Sequence, residues 1–206
     1  MIIKKGFFIT LEGPEGSGKS TQTRILARIL RKKGFRVAVL RDPGSTALGR
    51  SLRRVLLHSK AALSPMAEAM LFIGGRVALV EEKIIPALKQ GKVVVCDRFH
   101  DATVVYQGFA GGLGGDWLDA AGRAAIRNML PDLTILLDLP VKAGFARINR
   151  KHDRMEQKET AFHEQVRKGY LALARKQPGR IKVISALQPA EKITQKIQRI
   201  VLNRVS

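Results

Sequence analysis

Cysteine and aromatic residues are scarce in this chain of 206 residues. The single cysteine, Cys96, lies in the apolar run VVVCD, so we predict a buried thiol without an internal disulfide, and no cluster of Cys and His suggests a metal site. No apolar run approaches the roughly 18 residues of a membrane span. The opening residues MIIKKGFF lack a full signal-peptide core. We therefore expect a cytoplasmic protein without a membrane partner.

Acidic residues are also few, with 17 Asp and Glu against 37 Lys and Arg and a formal net charge of +20. The excess lies at the two ends: residues 1–60 hold 14 basic and 3 acidic side chains, and residues 142–206 hold 16 and 5. Such a field attracts any polyanion, nucleotides and nucleic acids alike. Because no zinc finger or aromatic RNA-binding signature accompanies it, we predict a solvated basic surface and no dedicated nucleic-acid partner.

Short apolar, β-branched runs alternate with longer helical patterns along the chain. This alternation predicts an α/β fold in which a parallel sheet of five strands is covered on both faces and binds ligands at the carboxyl ends of its strands. The length fits a single domain. The five runs are FFITLE at 7–12, RVAVL at 36–40, KVVVCD at 92–97, LTILLDL at 133–139 and RIKVIS at 180–185.

A longer helix is predicted from Pro65 to about Gln90, with Ser64 as its N-cap. Gly74 and Gly75 lie inside it and a proline lies near its C-terminal end, and both features weaken a helix. We therefore predict one helix with a bend. The sequence leaves open whether the glycines mark close packing or a kink.

A glycine-rich loop follows the first apolar run. The stretch GPEGSGKSTQ at 13–22 fits the phosphate-binding spacing G-x-x-x-x-G-K-[ST] without adjustment. Glycines let such a loop aim several backbone N–H groups at one anion. The lysine reaches the β- and γ-phosphates, and the serine after it can ligate Mg²⁺. We assign Gly13, Gly16, Ser17, Gly18, Lys19, Ser20 and Thr21 to ATP binding, with Lys19 also catalytic and Ser20 also a metal ligand.

A second group of candidates would suit a second nucleotide. Phe72 and Arg76 are one helical turn apart and project from one face, so that an aromatic plane can stack on a pyrimidine while a guanidinium donates to its edge. The alternative is a core phenylalanine beside a solvated arginine. Arg41 and Arg98 follow predicted strands and can hold phosphate. Asp97, at the tip of a buried strand, can orient Mg²⁺ through water.

Five motifs, in order, resemble those of the thymidylate kinases in the nucleoside-monophosphate kinase group. The resemblance implies a P-loop α/β/α fold of three layers with strand order 2-3-1-4-5, a homodimer, and Mg²⁺-dependent transfer of the ATP γ-phosphoryl group to dTMP, which gives dTDP. It implies one domain over 1–206, with an acceptor-binding region at about 41–110 and a short lid at about 144–158. The motifs are EGPEGSGKSTQ; RDPGST, where the family has R-E-P-G-G-T; LFIGGR, where it has L-M-F-x-A-A-R; DRFHDATVVYQG, where it has D-R-x-x-D-S-T-x-A-Y-Q-G; and HDRMEQKETAFHEQVRKGYLALA, where it has D-R-x-E and F-x-x-x-V-R-x-x-Y.

The resemblance also implies roles at the acceptor base. Phe72 resembles the residue stacked on thymine, and Arg76 resembles the donor to its O4 edge. Thr103 matches a polar position near the base, and Gln107 belongs to the same substrate-binding set. Ala102 stands where the family has a serine, which leaves base selectivity open.

Other matched positions concern the sugar and phosphate of the acceptor. Glu15 matches the carboxylate that accepts a hydrogen bond from the sugar 3′-hydroxyl. Tyr106 resembles the ring packed against deoxyribose where a 2′-hydroxyl would sit. Arg41 and Arg98 resemble the clamps of the acceptor phosphate, and Arg98 is also assigned to catalysis. Asp42 stands where the family usually has Glu, a mild change.

Basic residues of the predicted lid are spaced to share a face. Arg147, Arg150 and Arg154 stand at i, i+3 and i+7, which would align them if the helix continued that far. Because the P-loop residues PEGS include no basic side chain, the chain resembles family members whose transition-state arginines come from the lid. We assign Arg150 and Arg154 to catalysis and Arg147 to ATP binding, with Lys151 as a competitor of Arg150.

The expected reaction needs no general base, since a phosphate acceptor is largely ionised at neutral pH. We accordingly predict surface positions for all four histidines, His58, His100, His152 and His163. The sequence is also compatible with two rival functions. One is a kinase with another acceptor, and the other is a nucleotide-dependent switch whose basic surface grips nucleic acid.

Overall fold

The computed structural model describes residues 6–58 and 62–205, and its centre is a sheet of five parallel strands. The strand order β2-β3-β1-β4-β5 confirms the predicted order. Each strand falls within one residue of its predicted run at either end, because a strand covered on both faces is apolar throughout. The strands are β1 (Phe7–Glu12), β2 (Val37–Arg41), β3 (Val93–Asp97), β4 (Leu133–Asp138) and β5 (Ile181–Ser185).

Helices cover both faces of the sheet and give the three predicted layers. Ile9 and Leu11 of β1 pack in one apolar cluster with the first and last helices, while Phe8 packs on the opposite face in another. The helices are α1 (Lys19–Lys32), α2 (Ala47–His58), α3 (Pro65–Leu79), α4 (Ile85–Lys89), α5 (His100–Thr103), α6 (Gly115–Ala125), α7 (Val141–Phe145), α8 (Thr160–Lys176) and α9 (Ala190–Val205), with π-helical segments at Val80–Ile84 and Val104–Ala110.

The predicted long helix is continuous through α3, the π-helical segment and α4. Ser64 caps it, since the Ser64 hydroxyl accepts a hydrogen bond from the Ala67 N–H at 3.2 Å. The π-helical segment Val80–Ile84 lies just before Pro86 rather than at the glycines, as expected where a proline removes a backbone donor. A Cβ at Gly75 would lie 3.1 Å from Leu52 Cδ1 of α2, so this glycine permits close helix packing.

Cys96 is fully buried in β3, as predicted, and burial raises the pKa of its thiol. Among the described residues, no helix combines the length and the apolar character needed to cross a membrane.

Candidate active site

The glycine-rich loop lies between the end of β1 and the start of α1. Gly13 and Gly16 have φ values of 144° and 67°, which favour glycine. A Cβ at Gly16 would overlap the Gly144 carbonyl of α7, and one at Gly13 would overlap the Leu137 carbonyl of β4. Only glycine therefore allows the loop to pass this close to its neighbours and to open its N–H groups at the start of α1.

Lys19 folds back over the loop that carries it. Its Nζ donates to the carbonyl oxygens of Gly13 at 2.9 Å and Pro14 at 2.7 Å. Burial, together with the neighbouring Arg98 guanidinium, lowers the pKa of Lys19 to about 8. A side chain held at this point by two carbonyls is ready to exchange them for phosphate oxygens.

Oxygen ligands suited to Mg²⁺ meet beside the loop. The Ser20 hydroxyl donates to a carboxylate oxygen of Asp97 at the end of β3. Arg41, at the adjacent end of β2, holds its Nε 3.6 Å from the same Asp97 oxygen. A hydroxyl and a carboxylate fit Mg²⁺, which binds proteins through few ligands plus water and substrate phosphates. In the described ranges no group of three or more His, Cys, Asp or Glu gathers as a metal site.

A cavity of about 590 Å³ opens over these groups, large enough for a triphosphate tail. Its walls come from the glycine-rich loop, from the ends of β2 and β3, from α2 and from the segment after α7. The lining residues are Glu15, Gly16, Ser17, Gly18, Lys19, Ser20, Thr21, Arg41, Arg53, Asp97, Arg98, Arg147, Ile148, Asn149, Arg150, Asp153 and Glu156.

The helix does not continue through the predicted lid, so the three lid arginines do not share a helical face. Helix α7 ends at Phe145, and no helix lies between it and Thr160 within this described stretch. The reason lies partly in Asp153, whose carboxylate accepts hydrogen bonds from the N–H groups of Met155 at 2.9 Å and Glu156 at 3.0 Å. Such local bonding offers the backbone an alternative to a helix.

The three arginines consequently point to different places. Arg147 lines the large cavity and donates to the Ala186 carbonyl at 3.0 Å. Arg150 lines it as well and pairs with both oxygens of Glu156 at 2.8 and 2.6 Å. Arg154 is not part of that wall.

Arg154 is tied instead to the helices α2 and α3. It donates to the Leu56 carbonyl at 2.8 Å and to the Glu68 carboxylate. Its backbone N–H also donates to the Leu57 carbonyl at 3.0 Å. These contacts attach this end of the predicted lid to the helices beside the predicted acceptor residues.

Arg98, directly after β3, connects the glycine-rich loop with two tyrosines from other segments of the chain. Its φ of 66° is unusual for a residue with a Cβ. One guanidinium nitrogen donates to both oxygens of Glu15, at 3.0 and 2.9 Å, and to the Tyr106 hydroxyl at 3.0 Å. The other reaches the Tyr170 hydroxyl at 3.2 Å. Burial opposes ionisation of Glu15, but Arg98 and Lys19 outweigh it and lower the pKa of Glu15 to about 2.

Glu12, at the last position of β1, contacts Tyr170, which is a hydrogen-bond partner of Arg98, and it was not predicted from the sequence. Its carboxylate is fully buried and accepts from the Phe99 N–H and from the Tyr170 hydroxyl, both at 2.7 Å. Burial and the nearby Asp101 carboxylate raise the pKa of Glu12 to about 7. A carboxylate ending the apolar run FFITLE was the signal that could have identified it.

A second, narrower cavity of about 70 Å³ lies on the other side of Arg98, and we call it the acceptor slot. Each residue predicted to surround the acceptor base lies on its wall. Arg53 and Arg98 line both cavities, so the two are neighbours. The residues of the acceptor slot are Asp42, Pro43, Arg53, Leu57, Phe72, Arg76, Arg98, Ala102, Thr103, Tyr106, Gln107 and Met155.

Arg76 is only 2% exposed, so the alternative of a solvated arginine is wrong. Its Nε donates to Asp42 at 2.6 Å and one Nη donates to the Thr103 hydroxyl at 2.9 Å. The other Nη is buried and, within the described residues, has no hydrogen-bond partner. A buried donor without a partner is costly, and this one belongs to a residue on the wall of the slot.

Further residues were also missed or misjudged. Arg53 of α2, on the wall of both cavities, gave no signal among several exposed arginines. The prediction of surface histidines is wrong for His100 and His163, which are 1% and 2% exposed. His100 lies 2.8 Å from Asp119, and the His163 ring packs edge-on against Phe145 at 4.8 Å between centroids. Each histidine is buried against a side chain that is distant in sequence, Asp119 for His100 and Phe145 for His163.

Known proteins resemble this chain over most of its length. The family model described as thymidylate kinase matches residues 11–197. A curated thymidylate kinase of Chlamydia trachomatis serovar D is 47% identical over 188 residues, covering 89% of this chain and 93% of that protein. One from Thermoanaerobacter sp. strain X514 is 41% identical over 198 residues, covering 96% and 98%. The crystal structure of thymidylate kinase from Ehrlichia chaffeensis has a TM-score of 0.79 at 29% identity, covering 96% of this chain and 99% of that one.

Proposed function

Because this chain belongs to the thymidylate kinase family and phosphorylates dTMP to dTDP, with ATP as phosphate donor, we propose that its two cavities hold these two nucleotides. The observation that carries this assignment is the shared wall: Arg98 and Arg53 line both cavities. Two phosphates that meet at this wall would face each other across cationic side chains. Transfer between them then depends on positioning and charge neutralisation.

The large cavity is the proposed ATP site. The N–H groups of the glycine-rich loop surround the β-phosphate, and Lys19 exchanges its two loop carbonyls for the β- and γ-phosphates. Mg²⁺ would be held by Ser20 and, through water, by Asp97, and when bound it neutralises developing phosphate charge. Arg41 and Lys19, which both line this cavity, add fixed positive charge around the phosphates.

The acceptor slot is the proposed thymine site. The half-buried Phe72 supplies a ring on which a pyrimidine can stack. Arg76 presents its unpartnered Nη as the donor to O4, and the Thr103 hydroxyl and Asp42 fix the rest of its guanidinium. Gln107 supplies the carbonyl acceptor that the N3–H of thymine requires.

The sugar and phosphate of dTMP would lie along Arg98. We assign Glu15 and Tyr106 to the deoxyribose, since they are hydrogen-bonded to each other at 2.6 Å beside the slot. Arg98, with Arg41 and Arg53, neutralises the acceptor phosphate. That phosphate needs no general base because its second pKa is about 6, and neither buried histidine lines either cavity.

Residues 144–158 form the proposed lid, and residues 41–110 the acceptor-binding region. Arg150, with Arg147, is assigned to the transferred phosphoryl group because both line the ATP cavity. Arg154 is reassigned from catalysis to anchoring the lid, since its partners are Leu56 and Glu68. A lid fixed at this end can close over the phosphates and keep water from the γ-phosphate.

The proposal is tested by coupled detection of ADP with ATP and Mg²⁺ and with dTMP, dUMP or thymidine as acceptor. We expect efficient turnover with dTMP, weaker turnover with dUMP and none with thymidine, which has no phosphate for Arg98 to hold. Chromatography should recover dTDP in amounts equal to ADP. Formation of ADP without dTDP would contradict the assignment of the slot.

We also propose that the protein is a cytoplasmic homodimer. Four exposed apolar side chains, Leu48 and Val55 on α2 and Met66 and Met70 on α3, support a dimer through these adjacent helices. The free, buried Cys96 suits a reducing compartment. The basic surface is assigned to attraction of nucleotides, without a nucleic-acid partner. Light scattering at micromolar concentration should give twice the chain mass, and a monomer would contradict this.

A further inference from the structure

A buried carboxylate lies behind the acceptor slot and contacts one of its walls. Glu68 of α3 is 3% exposed and is not itself part of the slot. Its Oε1 accepts a hydrogen bond from the Gln107 amide nitrogen at 2.8 Å. Its other oxygen accepts from Arg154, and Lys158 Nζ lies 3.8 Å from Oε1.

These partners fix which way the Gln107 amide faces. A carboxylate between two cations offers only acceptor oxygens, whereas an amide presents two N–H donors on one side and a carbonyl acceptor on the other. Only the nitrogen side of Gln107 can therefore face Glu68. Within residues 6–58 and 62–205 the Gln107 carbonyl oxygen accepts no hydrogen bond, although Gln107 is 3% exposed and lines the slot.

The fixed amide gives the slot a polarity that matches one pyrimidine edge. Arg76 offers a donor and Gln107 an acceptor, which complement the O4 acceptor and N3–H donor of thymine. Cytosine presents the reverse pattern, an N4 amino donor and an N3 acceptor. If its amide could flip, Gln107 could pair with the N3 of thymine or with the N3 of cytosine. Selectivity at N3 therefore depends on the contacts that prevent this flip.

We propose that Glu68 is a specificity-determining positioning residue, which holds the Gln107 carbonyl toward the acceptor slot and so favours thymine over cytosine. The inference rests on the proposed assignment of the slot to the acceptor base. Glu68 touches no nucleotide in this arrangement and acts through Gln107. The ion pair between Glu68 and Arg154 also links base recognition to the anchored end of the proposed lid.

The test compares the binding of dTMP and 5-methyl-dCMP, which differ only in the edge that Arg76 and Gln107 face. In Glu68→Gln the new amide can donate or accept, so Gln107 is free to rotate. Calorimetry should show the dissociation constant of dTMP rising about tenfold, while that of 5-methyl-dCMP stays the same or falls. Lys158→Met, which removes the more distant cation, should leave both constants unchanged.

A purely structural role for Glu68 would weaken both ligands equally, and that result would overturn the proposal. In a Gln107→Leu background, Glu68→Gln should cause no further loss of dTMP affinity, and an undiminished loss would also overturn it. If Glu68→Gln does not fold, Glu68→Asp keeps the charge for Arg154 but withdraws the carboxylate from Gln107, and it should show the same selective loss. Failure of the wild-type protein to phosphorylate dTMP would instead reject the function on which the inference rests.

Discussion

The large cavity, which is the proposed ATP side, and the acceptor slot, which is the proposed acceptor side, are lined by different kinds of groups. In the large cavity of about 590 Å³, one loop of consecutive residues supplies backbone N–H groups and Lys19, and side chains from β2, β3, α2 and the segment after α7 complete the wall. On the acceptor side, a slot of about 70 Å³ is walled by side chains from helices and loops that are far apart in sequence. Backbone groups bind any nucleoside triphosphate tail, whereas placed side chains can select one base. Under the proposed assignment, triphosphate binding and base selectivity therefore belong to different parts of the site.

The two sides also differ in what holds them in place. The glycine-rich loop is shaped by steric limits at Gly13 and Gly16. The acceptor side depends on buried charges, above all the pair of Arg76 and Asp42, whose side chains are 2% and 1% exposed. Breaking a buried pair of this kind is costly because it leaves an uncompensated charge. Changes on the acceptor side should therefore affect stability as well as binding.

Lys19→Ala should give the largest effect and confine it to the ATP side. Loss of the cation at the transferred group should lower kcat roughly 10³-fold, while the dissociation constant of dTMP should stay within about threefold of the wild-type value. Steady-state kinetics and calorimetry measure the two quantities. Near-normal turnover would remove Lys19 from the mechanism, and a parallel loss of dTMP binding would show that the two sides are not separable.

Glu12→Gln should change how stability depends on pH. Because burial and Asp101 raise the pKa of Glu12 from 4.5 to about 7, the folded state keeps a proton that the unfolded chain loses between these values. Stability contributed by Glu12 is therefore complete below about pH 4.5 and is lost as the pH rises through 7, by roughly 3 kcal/mol in total. The amide variant should not show this loss.

Urea unfolding of the wild-type protein and of Glu12→Gln at pH 5 and pH 8 measures this loss of stability. Subtracting the change in unfolding free energy of the variant from that of the wild type removes the contribution of other groups. Glu15 will not interfere, since its pKa is lowered to about 2 and its contribution is lost only as the pH falls from 4.5 toward 2. Equal pH dependence in the two proteins would mean that Glu12 does not hold a proton near neutrality.

Arg76→Ala should weaken the binding of dTMP more than the binding of ATP, because Arg76 lines the acceptor slot and not the large cavity. Removing a charged donor to O4 should raise the dissociation constant of dTMP about 30-fold. The double variant Arg76→Ala/Asp42→Asn leaves no unpaired buried carboxylate. It therefore separates the loss of base recognition from a loss of protein stability. A non-hydrolysable ATP analogue should bind both variants within about threefold of wild type. Equal weakening of both nucleotides would argue against base reading by Arg76.

The form of the glycine-rich loop and its place between a strand and a helix could be predicted from the sequence because that geometry is local. The spacing of Gly13, Gly18, Lys19 and Ser20 fixes one loop, and the apolar runs define the strands that present it. The family resemblance added the strand order and the group of residues around the acceptor slot, which the fold brings together.

What the sequence did not predict depends on contacts between distant segments. Arg76 is buried because Asp42, 34 positions earlier, pairs with it. The Gln107 amide is fixed by Glu68, 39 positions away. The lid does not form a continuous helix, since Asp153 bonds to nearby N–H groups and Arg154 is held by α2 and α3. Periodicity carries no information about such pairings.

A crystal structure with dTMP, Mg²⁺ and a non-hydrolysable ATP analogue bound together would show whether the two cavities hold the two nucleotides. We expect the γ-phosphate in the large cavity and the dTMP phosphate beside it, with the Arg98 guanidinium in contact with the acceptor phosphate and thymine between Phe72 and Arg76. A structure in which dTMP lies outside the slot, or in which Arg98 touches neither phosphate, would contradict this assignment.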